Sequence, residues 1–185
     1  MRVALVGLGS AGLTLHLPAL AGIPGVEIVG ACDADPKQRA AAGDRRGIAL
    51  FETFDEMLAK ARPDVVVVGT PPSSHAAYCL SSLRAGAHVI CEKPFVESLA
   101  EADQVIAAAR TAGRQVALNH EFREMPIYRA LRDQLGRPGV GDLVFVQIWQ
   151  KLYMPPWNET GWLGRLARRT LYEAGVHLVD LAMVV

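Results

Sequence analysis

The sequence lacks net charge, long apolar runs and paired cysteines, and each absence excludes a class of protein. Its 185 residues carry 19 basic and 19 acidic side chains, so the overall charge favours neither nucleic acid nor an anionic membrane as a partner. No apolar stretch approaches the roughly 20 residues of a membrane-spanning helix. Cys32, Cys79 and Cys91 lie in apolar surroundings without metal-ligand spacing. They are typical of reduced thiols in a cytoplasmic protein that holds no metal.

The N-terminus supports the cytoplasmic interpretation. Met1-Arg2 leads directly into an apolar run, without the charged and apolar regions of a signal peptide. We therefore expect no secretory leader.

Short apolar runs alternate with alanine-rich segments along the first 120 or so residues. These runs predict six strands, at Val3–Val6, Glu27–Cys32, Ile48–Phe51, Val65–Gly69, His88–Cys91 and Gln115–Leu118. Strands that are apolar on both faces are typical of a parallel sheet covered by helices on both sides. Capping boxes that begin at Thr53 and Ser98 mark the start of two of those helices. The sequence therefore predicts an α/β fold with a doubly wound parallel sheet.

The pattern changes after residue 120. Residues 126–135 predict a helix, residues 143–150 a strand and residues 171–185 a final helix, with a loop rich in Pro, Trp and Gly before the last of these. One strand and one helix do not make a complete domain. We therefore assign residues 1–120 to the first domain and residues 121–185 to the truncated start of an α+β second domain.

A glycine-rich loop separates the first predicted strand from the first helix. Gly7, Gly9 and Gly12 would permit a tight turn, close approach of the backbone to a pyrophosphate, and tight packing of the helix. Ser10 and Ala11 begin the helix, whose N-terminal amides and dipole favour phosphate. This arrangement is that of a Rossmann dinucleotide-binding loop.

Asp33 ends the second predicted strand, about 20 residues after the loop, where an acidic side chain accepts a hydrogen bond from the adenosine ribose. A carboxylate there would repel a 2′-phosphate, which favours NAD. Lys37 and Arg39 leave NADP open as an alternative.

The first helix contains a proline at an unusual depth. Pro18 lies too far in for the first turn of a helix that begins at Ser10, which predicts a bend or restart near His16. We interpret His16 as a structural residue at that bend.

Glu92-Lys93-Pro94 follows the predicted strand His88–Cys91. Ligands of open α/β sheets bind beyond the carboxyl ends of the strands, so Lys93 is predicted to point into a binding crevice. Pro94 excludes helical geometry at Lys93 and permits a cis peptide bond. A surface lysine in a loop is the alternative.

Glu173, His177 and Asp180 fall on one face of the final predicted helix. The helix is apolar almost all round, which predicts burial, so these groups need partners or line a site. A buried structural network is the alternative. Histidine titrates near neutral pH, which favours His177 as a proton acceptor. Glu173 would orient it, and Gly175 would let a backbone or a ligand approach.

With these motifs together, the chain resembles the Gfo/Idh/MocA oxidoreductases, the family of glucose–fructose oxidoreductase and inositol dehydrogenase. The resemblance covers nearly the whole chain and is carried by residues 7–12 with Asp33, residues 65–75, residues 85–94, Phe122-Arg123 and residues 173–180. It implies that Thr70, Pro71 and His75 border the cofactor and that Glu92 and Lys93 lie beside it. Glu173 stands where the family commonly has Asp.

The resemblance implies an NAD(P)-dependent oxidoreductase that transfers hydride between the cofactor and a sugar, polyol or related hydroxyl or carbonyl compound. His177 would take the hydroxyl proton, Lys93 would hydrogen-bond the same oxygen, and Glu173 and Asp180 would position the pair. The alternatives are a non-catalytic dinucleotide-binding regulator and a lyase or hydrolase that uses bound NAD transiently. Lys93 and His177 are both present, which favours an enzyme over a regulator.

Family members continue into an open antiparallel sheet that closes the substrate pocket and usually forms the subunit interface. The resemblance therefore implies that this chain is an N-terminal part, inactive by itself, of a protein that is a homo-oligomer in its full-length form.

Overall fold

The computed structural model describes residues 1–43, 47–135, 137–151, 164 and 170–184. The chain divides into two compact units, Met1–Asn119 and His120–Val185. None of the helices within the described ranges is long and apolar enough to cross a membrane.

The first unit is built on a sheet of six parallel strands, in the order β3-β2-β1-β4-β5-β6. The strands are β1 (Arg2–Val6), β2 (Glu27–Cys32), β3 (Leu50–Phe51), β4 (Val65–Val68), β5 (His88–Cys91) and β6 (Val116–Leu118). The order reverses between β1 and β4, which is the point where ligands of doubly wound sheets bind. The predicted fold class is confirmed, and the bounds of β2 and β5 are those predicted.

Helices cover both faces of this sheet. In chain order they are α1 (Leu17–Ala21), α2 (Pro36–Gly43), α3 (Phe54–Ala61), α4 (His75–Arg84) and α5 (Leu99–Ala112). Val3 and Leu5 pack on one face with side chains of α1 and α2. Ala4 and Val6 pack on the other face with side chains of α3, α4 and α5. Because successive strand residues point to opposite faces, one short apolar run contributes to two hydrophobic cores.

The capping box that begins at Ser98 is confirmed, since its side chain and that of Glu101 each bond the other's backbone. At Thr53 the side chain accepts from the Glu56 amide at 3.3 Å. The Glu56 carboxylate pairs with Lys60 one turn later, at 2.7 Å. This second motif therefore begins α3 with a simple side-chain cap on the Glu56 amide.

The helix after β1 carries a wide turn. Residues Gly12–His16 form a π-helical segment that precedes α1, and Pro18 then lies in the first turn of α1. A proline is tolerated there because the first turn has amides without intrahelical acceptors. The predicted restart near His16 is confirmed.

The second unit begins with a 3₁₀ turn at Glu121–Glu124, followed by α6 (Pro126–Leu135) at the predicted bounds. A π-helical segment at Leu171–Gly175 leads into α7 (Val176–Val184). The predicted loop rich in Pro, Trp and Gly falls almost entirely outside the described residues, as does Val185.

The predicted strand at residues 143–150 is wrong. These residues have no regular secondary structure, and Val144 and Phe145 are 93% and 77% exposed. A strand is stabilised by hydrogen bonds to a neighbouring strand. All the strands within the described ranges belong to the first unit, so the described part of the second unit contains no strand to pair with.

The predicted burial of the final helix holds on one face only. Ala174, His177, Asp180 and Leu181 are buried, whereas Val179 and Met183 are exposed. Apolar composition therefore predicted the helix correctly and overstated how much of it is covered.

Candidate functional site

The three glycines of the loop after β1 have separate structural roles. A Cβ atom at Gly7 would lie 2.5 Å from the carbonyl oxygen of Gly69, and the φ of Gly7 is +96°. A Cβ at Gly12 would lie 2.1 Å from the carbonyl oxygen of Gly7. At Gly9 no heavy atom lies within 4 Å of that position. Gly7 and Gly12 are therefore required by the protein's own packing, while the space at Gly9 is open to a ligand.

The helix that follows presents its first amides beside this open space. The first backbone bond of the helix runs from the Leu13 amide to the Gly9 oxygen, at 3.0 Å. The amides of Ser10 and Ala11 precede that bond, so they belong to the N-terminal donors that have no intrahelical acceptor. Amides in this position, with the positive end of the helix dipole, suit a phosphate group.

Asp33 connects the end of β2 to the glycine loop. One carboxylate oxygen, Oδ2, accepts from the Leu8 amide at 2.7 Å, and Oδ1 accepts from the Asp35 amide at 2.8 Å. Each carboxylate oxygen has two lone pairs, so Asp33 keeps the capacity to accept from a ribose hydroxyl. The Arg39 side chain donates to the carbonyl oxygens of Asp33 and Ala34, at 2.7 and 3.0 Å. Arg39 thus stabilises the turn after β2.

The turn after β4 is fixed by His75. This histidine is 0% exposed, and its Nε2 lies 2.7 Å from the Thr70 carbonyl oxygen. Its Nδ1 lies 3.0 Å from the carbonyl oxygens of both Pro94 and Phe95. His75 therefore links the turn after β4 to the turn after β5. Its predicted contact with a cofactor does not fit this burial, whereas Thr70 is half-buried and Pro71 is exposed at the surface of the same turn.

Glu92 is the centre of a hydrogen-bond network at the end of β5. Its Oε1 lies 2.8 Å from Nε2 of His16 and accepts from Nδ2 of Asn119 at 2.7 Å. Its Oε2 accepts from the backbone amide of Lys93 at 3.2 Å. The residue is 8% exposed, and its two oxygens are engaged by the protein. Glu92 therefore holds the turn that carries Lys93, and its predicted place beside a cofactor stays a prediction.

Opposing effects act on the Glu92 carboxyl. Burial alone would raise its pKa, but the hydrogen bonds from His16, Asn119 and the Lys93 amide together hold the pKa below its usual range. Glu92 is therefore an anion at neutral pH. Lys93 itself is half-buried, and the Lys93–Pro94 peptide bond is cis.

In the second unit, aromatic groups hold His177. Its ring, 5% exposed, stacks on Phe122 with a centroid separation of 4.3 Å and an interplanar angle of 17°. The ring of His120 approaches edge-on at 6.0 Å. Nε2 of His177 lies 3.9 Å from a carboxylate oxygen of Glu121. This arrangement fixes the plane of the imidazole beside a carboxylate that would stabilise its protonated form.

Asp180 pairs with Arg123. The guanidinium donates to both carboxylate oxygens, with Nε to Oδ2 at 2.9 Å, and Nε2 of His120 lies 4.0 Å from Oδ1. The hydrogen bond to Asp180 raises the pKa of Arg123 further. The carboxylate of Asp180 thus anchors the 3₁₀ turn at Glu121–Glu124 to α7, and its predicted role in positioning Lys93 and His177 stays a prediction. Glu173 is half-buried in the π-helical segment.

Sequence reasoning missed His120, Glu121 and Phe122 as neighbours of His177, and His16 and Asn119 as partners of Glu92. One signal could have found the first three. They directly follow β6, and the carboxyl ends of parallel strands are where such sheets place functional groups.

Two of the three cysteines have raised pKa values. Cys32, Cys79 and Cys91 are free and buried, as predicted. Burial, followed by the nearby Asp33 charge, raises the pKa of Cys32 to about 11. A hydrogen bond with Cys79 and burial raise the pKa of Cys91. The Cys32 and Cys91 thiols are therefore protonated at neutral pH, whereas the thiolate is the reactive form.

A parallel sheet in this strand order, with an open glycine loop and an acidic residue after β2, defines a dinucleotide-binding α/β protein. The family model described as an oxidoreductase family with an NAD-binding Rossmann fold matches residues 1–120. The chain therefore belongs to the Gfo/Idh/MocA oxidoreductases, whose Rossmann domain binds NAD.

Relatives agree with this assignment. The chain is 34% identical to a D-apiose dehydrogenase of Paraburkholderia graminis over 90% of its own length and 45% of that protein. It matches a dehydrogenase structure from Chromobacterium violaceum with a TM-score of 0.83 and 28% identity, over 99% of this chain and 54% of that one.

A third relative was solved with ligands. The WlbA dehydrogenase from Bordetella pertussis, in complex with NADH and UDP-GlcNAcA, has a TM-score of 0.67 and 27% identity, over 74% of this chain and 41% of that one. The chain spans about half the length, or less, of these relatives.

Proposed function

We propose that the protein is an NAD-dependent dehydrogenase acting on a CH–OH group of a sugar or polyol. The observation that carries the proposal is the glycine loop, in which the Gly9 position alone among the motif glycines is open to a ligand. The sugar class of substrate is supported by the similarity to a D-apiose dehydrogenase. The bound dinucleotide would supply the hydride acceptor, while the protein supplies binding and orientation.

We infer a preference for NAD over NADP. Asp33 keeps acceptor capacity for a ribose hydroxyl, and its charge would repel a 2′-phosphate. Arg39, the nearest arginine in sequence, is engaged by two backbone carbonyl oxygens. Among the described residues of α2, Lys37 is exposed in the first turn and is the basic side chain that would be available to a 2′-phosphate.

His177 is the proposed proton acceptor in the oxidative direction. Its Nδ1 is buried, so we assign the substrate's hydroxyl proton to Nε2. Stacking on Phe122 would keep the ring in one plane, and the Glu121 carboxylate would stabilise the imidazolium that forms. We infer that Lys93 donates a hydrogen bond to the reacting oxygen, which orients the hydroxyl and limits the charge that develops on it.

We also propose that residues 121–185 belong to the part of the protein that recognises substrate and partner subunits. The exposed apolar side chains of Val144 and Phe145 support this assignment, because apolar surface of this kind marks interaction sites. The free, buried cysteines support the cytoplasm as its compartment.

The test compares the variants Lys93→Met and His177→Ala with wild type in the intact protein. Each should lower turnover by about 10²–10⁴-fold, the usual contribution of a general acid or base, with little change in the dissociation constant of NAD. Formation of reduced cofactor is followed at 340 nm across a panel of sugars and polyols.

Two matched control variants distinguish the loss of a catalytic group from a nonspecific loss of activity on substituting a lysine or a histidine. Lys60 is an exposed lysine paired with Glu56, and His88 lies at the opposite end of β5 from Lys93. Lys60→Met and His88→Gln should both retain activity. Full activity in Lys93→Met or His177→Ala would contradict the role assigned to that residue. Cofactor binding without reduction of NAD on any substrate would favour a regulator.

A further inference from the structure

We propose that His16 is a positioning residue that fixes Lys93 through Glu92 and couples the glycine-loop helix to the turn that carries the lysine. The inference rests on the proposed function of Lys93, and on the network that joins three segments distant in the chain. His16 lies 76 positions before Glu92 in the sequence.

The carboxylate of Glu92 is shared between the two sides of this connection. Oε1 faces His16 at 2.8 Å, while Oε2 accepts from the Lys93 amide at 3.2 Å. Any movement of the carboxylate relative to His16 would therefore change the bond that holds the Lys93 backbone. Asn119 donates to Oε1 at 2.7 Å, and its own amide bonds the Cys91 carbonyl oxygen at 2.8 Å. It thereby holds the carboxylate from the β6 side.

His16 crosses the end of β4 to reach Glu92. A Cβ atom at Gly69 would lie 3.6 Å from Cδ2 of His16 and 3.6 Å from the Gly7 oxygen. The imidazole thus lies against the Gly69 backbone, at the reversal of strand order between β1 and β4. These are ordinary van der Waals distances, so the ring packs directly beside the Gly69 backbone on its way from the glycine-loop helix to the Lys93 turn.

The π-helical segment Gly12–His16 accounts for this direction. The Leu17 amide bonds the Gly12 oxygen, five residues back, which widens the turn by one residue relative to an α-helix. Leu17 and Leu20 then remain packed in the core, while His16 is directed toward Glu92. Wide turns of this kind are frequent at functional sites.

The side chain of Glu92 is largely shielded from water, as is that of His16, with 10% and 12% of each exposed. A hydrogen bond to a charged group in such surroundings is stronger than one between neutral groups in water. Replacing His16 by leucine would leave the carboxylate with one fewer donor. The carboxylate could then shift toward solvent, and the Lys93 amide would follow it.

The first experiment measures the network without relying on activity. Hydrogen exchange of the Lys93 amide is followed by NMR in wild type, His16→Leu, His16→Gln and Leu15→Ala. Exchange should accelerate in His16→Leu and recover in His16→Gln, whose amide group can still donate. Leu15 is exposed and lies in the same π-helical segment, so Leu15→Ala should match wild type. Unchanged exchange in His16→Leu would overturn the inference.

The second experiment uses turnover in the intact protein. Misplacement of a catalytic group by about 1 Å can cost 10²-fold in rate, so His16→Leu should lower kcat by roughly 10- to 100-fold. KM for NAD should change little, and His16→Gln should restore most of the loss. On the Lys93→Met background, His16→Leu should cause no further loss, because its effect acts through that lysine.

The outcomes separate the two proposals. Independent, additive losses for His16→Leu and Lys93→Met would show general structural damage and overturn the positioning role. Full activity of Lys93→Met would instead refute the catalytic assignment of Lys93, while faster exchange in His16→Leu would still establish the physical connection through Glu92.

Discussion

Gly12→Ala should destabilise the fold, whereas Gly9→Ala should leave the fold intact and weaken the binding of NAD. At Gly12 the new Cβ would lie 2.1 Å from the Gly7 carbonyl oxygen, well inside van der Waals contact and against backbone that cannot rotate away. Overpacking of this kind typically costs about 1–3 kcal/mol. A change of 1 kcal/mol shifts the melting temperature of a domain this size by about 2–4 °C, so Gly12→Ala should lower Tm by roughly 2–12 °C.

At Gly9 the same substitution meets no heavy atom within 4 Å, and the residue does not occupy the left-handed region. Gly9→Ala should therefore keep or slightly raise stability, by up to about 0.4–1 kcal/mol, because alanine reduces the entropy of the unfolded chain. The methyl group would instead occupy the space that the pyrophosphate must approach. We expect the dissociation constant of NAD to rise about tenfold or more, which corresponds to a loss of about 1.4 kcal/mol.

Thermal unfolding and calorimetric titration with NAD, on the same preparations, measure both effects. Gly22→Ala is the matched control, since its Cβ would make an ordinary contact at 3.5 Å near the end of α1. It should change neither Tm nor NAD affinity substantially. Wild-type affinity for NAD in Gly9→Ala would refute the assignment of the open space to the cofactor. An unchanged Tm in Gly12→Ala would refute the packing argument.

Two further predictions concern the acidic residues of the first unit. Asp33→Ser combined with Ala34→Arg should shift the ratio of dissociation constants from NAD toward NADP; equal affinities in the wild type would mean that Asp33 does not distinguish the two. The lowered folded pKa of Glu92 means that the unfolded chain binds its proton more readily, so this carboxyl stabilises the fold above about pH 4.5. Wild type should be more stable than Glu92→Gln at pH 7, and the difference in unfolding free energy should shrink as the pH falls through the folded pKa. A difference that is constant from pH 7 to pH 3 would contradict this linkage.

The sheet and the glycine loop were predictable because their determinants are local. A strand buried on both faces needs only a short apolar run between turn residues, and β2 and β5 have the predicted bounds. The loop depends on three glycines within six positions, whose separate roles follow from backbone geometry. For the strands and the glycine loop, residues that are close together in the sequence are enough to predict the structure.

The roles of Glu92 and His75 could not be predicted in the same way. A polar residue beside a site shows the same sequence pattern whether it contacts the ligand or holds the turn that does. Glu92 is engaged by His16, 76 positions away, and by Asn119, 27 positions away. Such pairings depend on the order of strands in the sheet, which places the ends of β1, β5 and β6 near one another. The segment 143–150 failed for a related reason, because a strand requires a partner as well as a favourable sequence.

The regular helical period of the final helix is interrupted by a π-helical segment at its start. His177 and Asp180 both lie in α7, where the regular spacing places them on one face as predicted, and both are buried. Glu173 lies in the segment Leu171–Gly175, whose turns hold more residues than those of an α-helix. A spacing of four residues is close to one full turn in either type of helix, so the shared face of Glu173 and His177 stays a prediction. At Gly175, in the same segment, a Cβ would meet the Leu171 side chain at 2.9 Å. The space predicted for a backbone or a ligand is filled by the chain's own preceding turn. A π-helical segment also contains His16, so this histidine is directed by a departure from the 3.6-residue period, whereas His177 follows the regular spacing of α7. Periodicity locates the helices of this protein, whereas the direction of His16 toward Glu92 depends on the π-helical interruption at Gly12–His16.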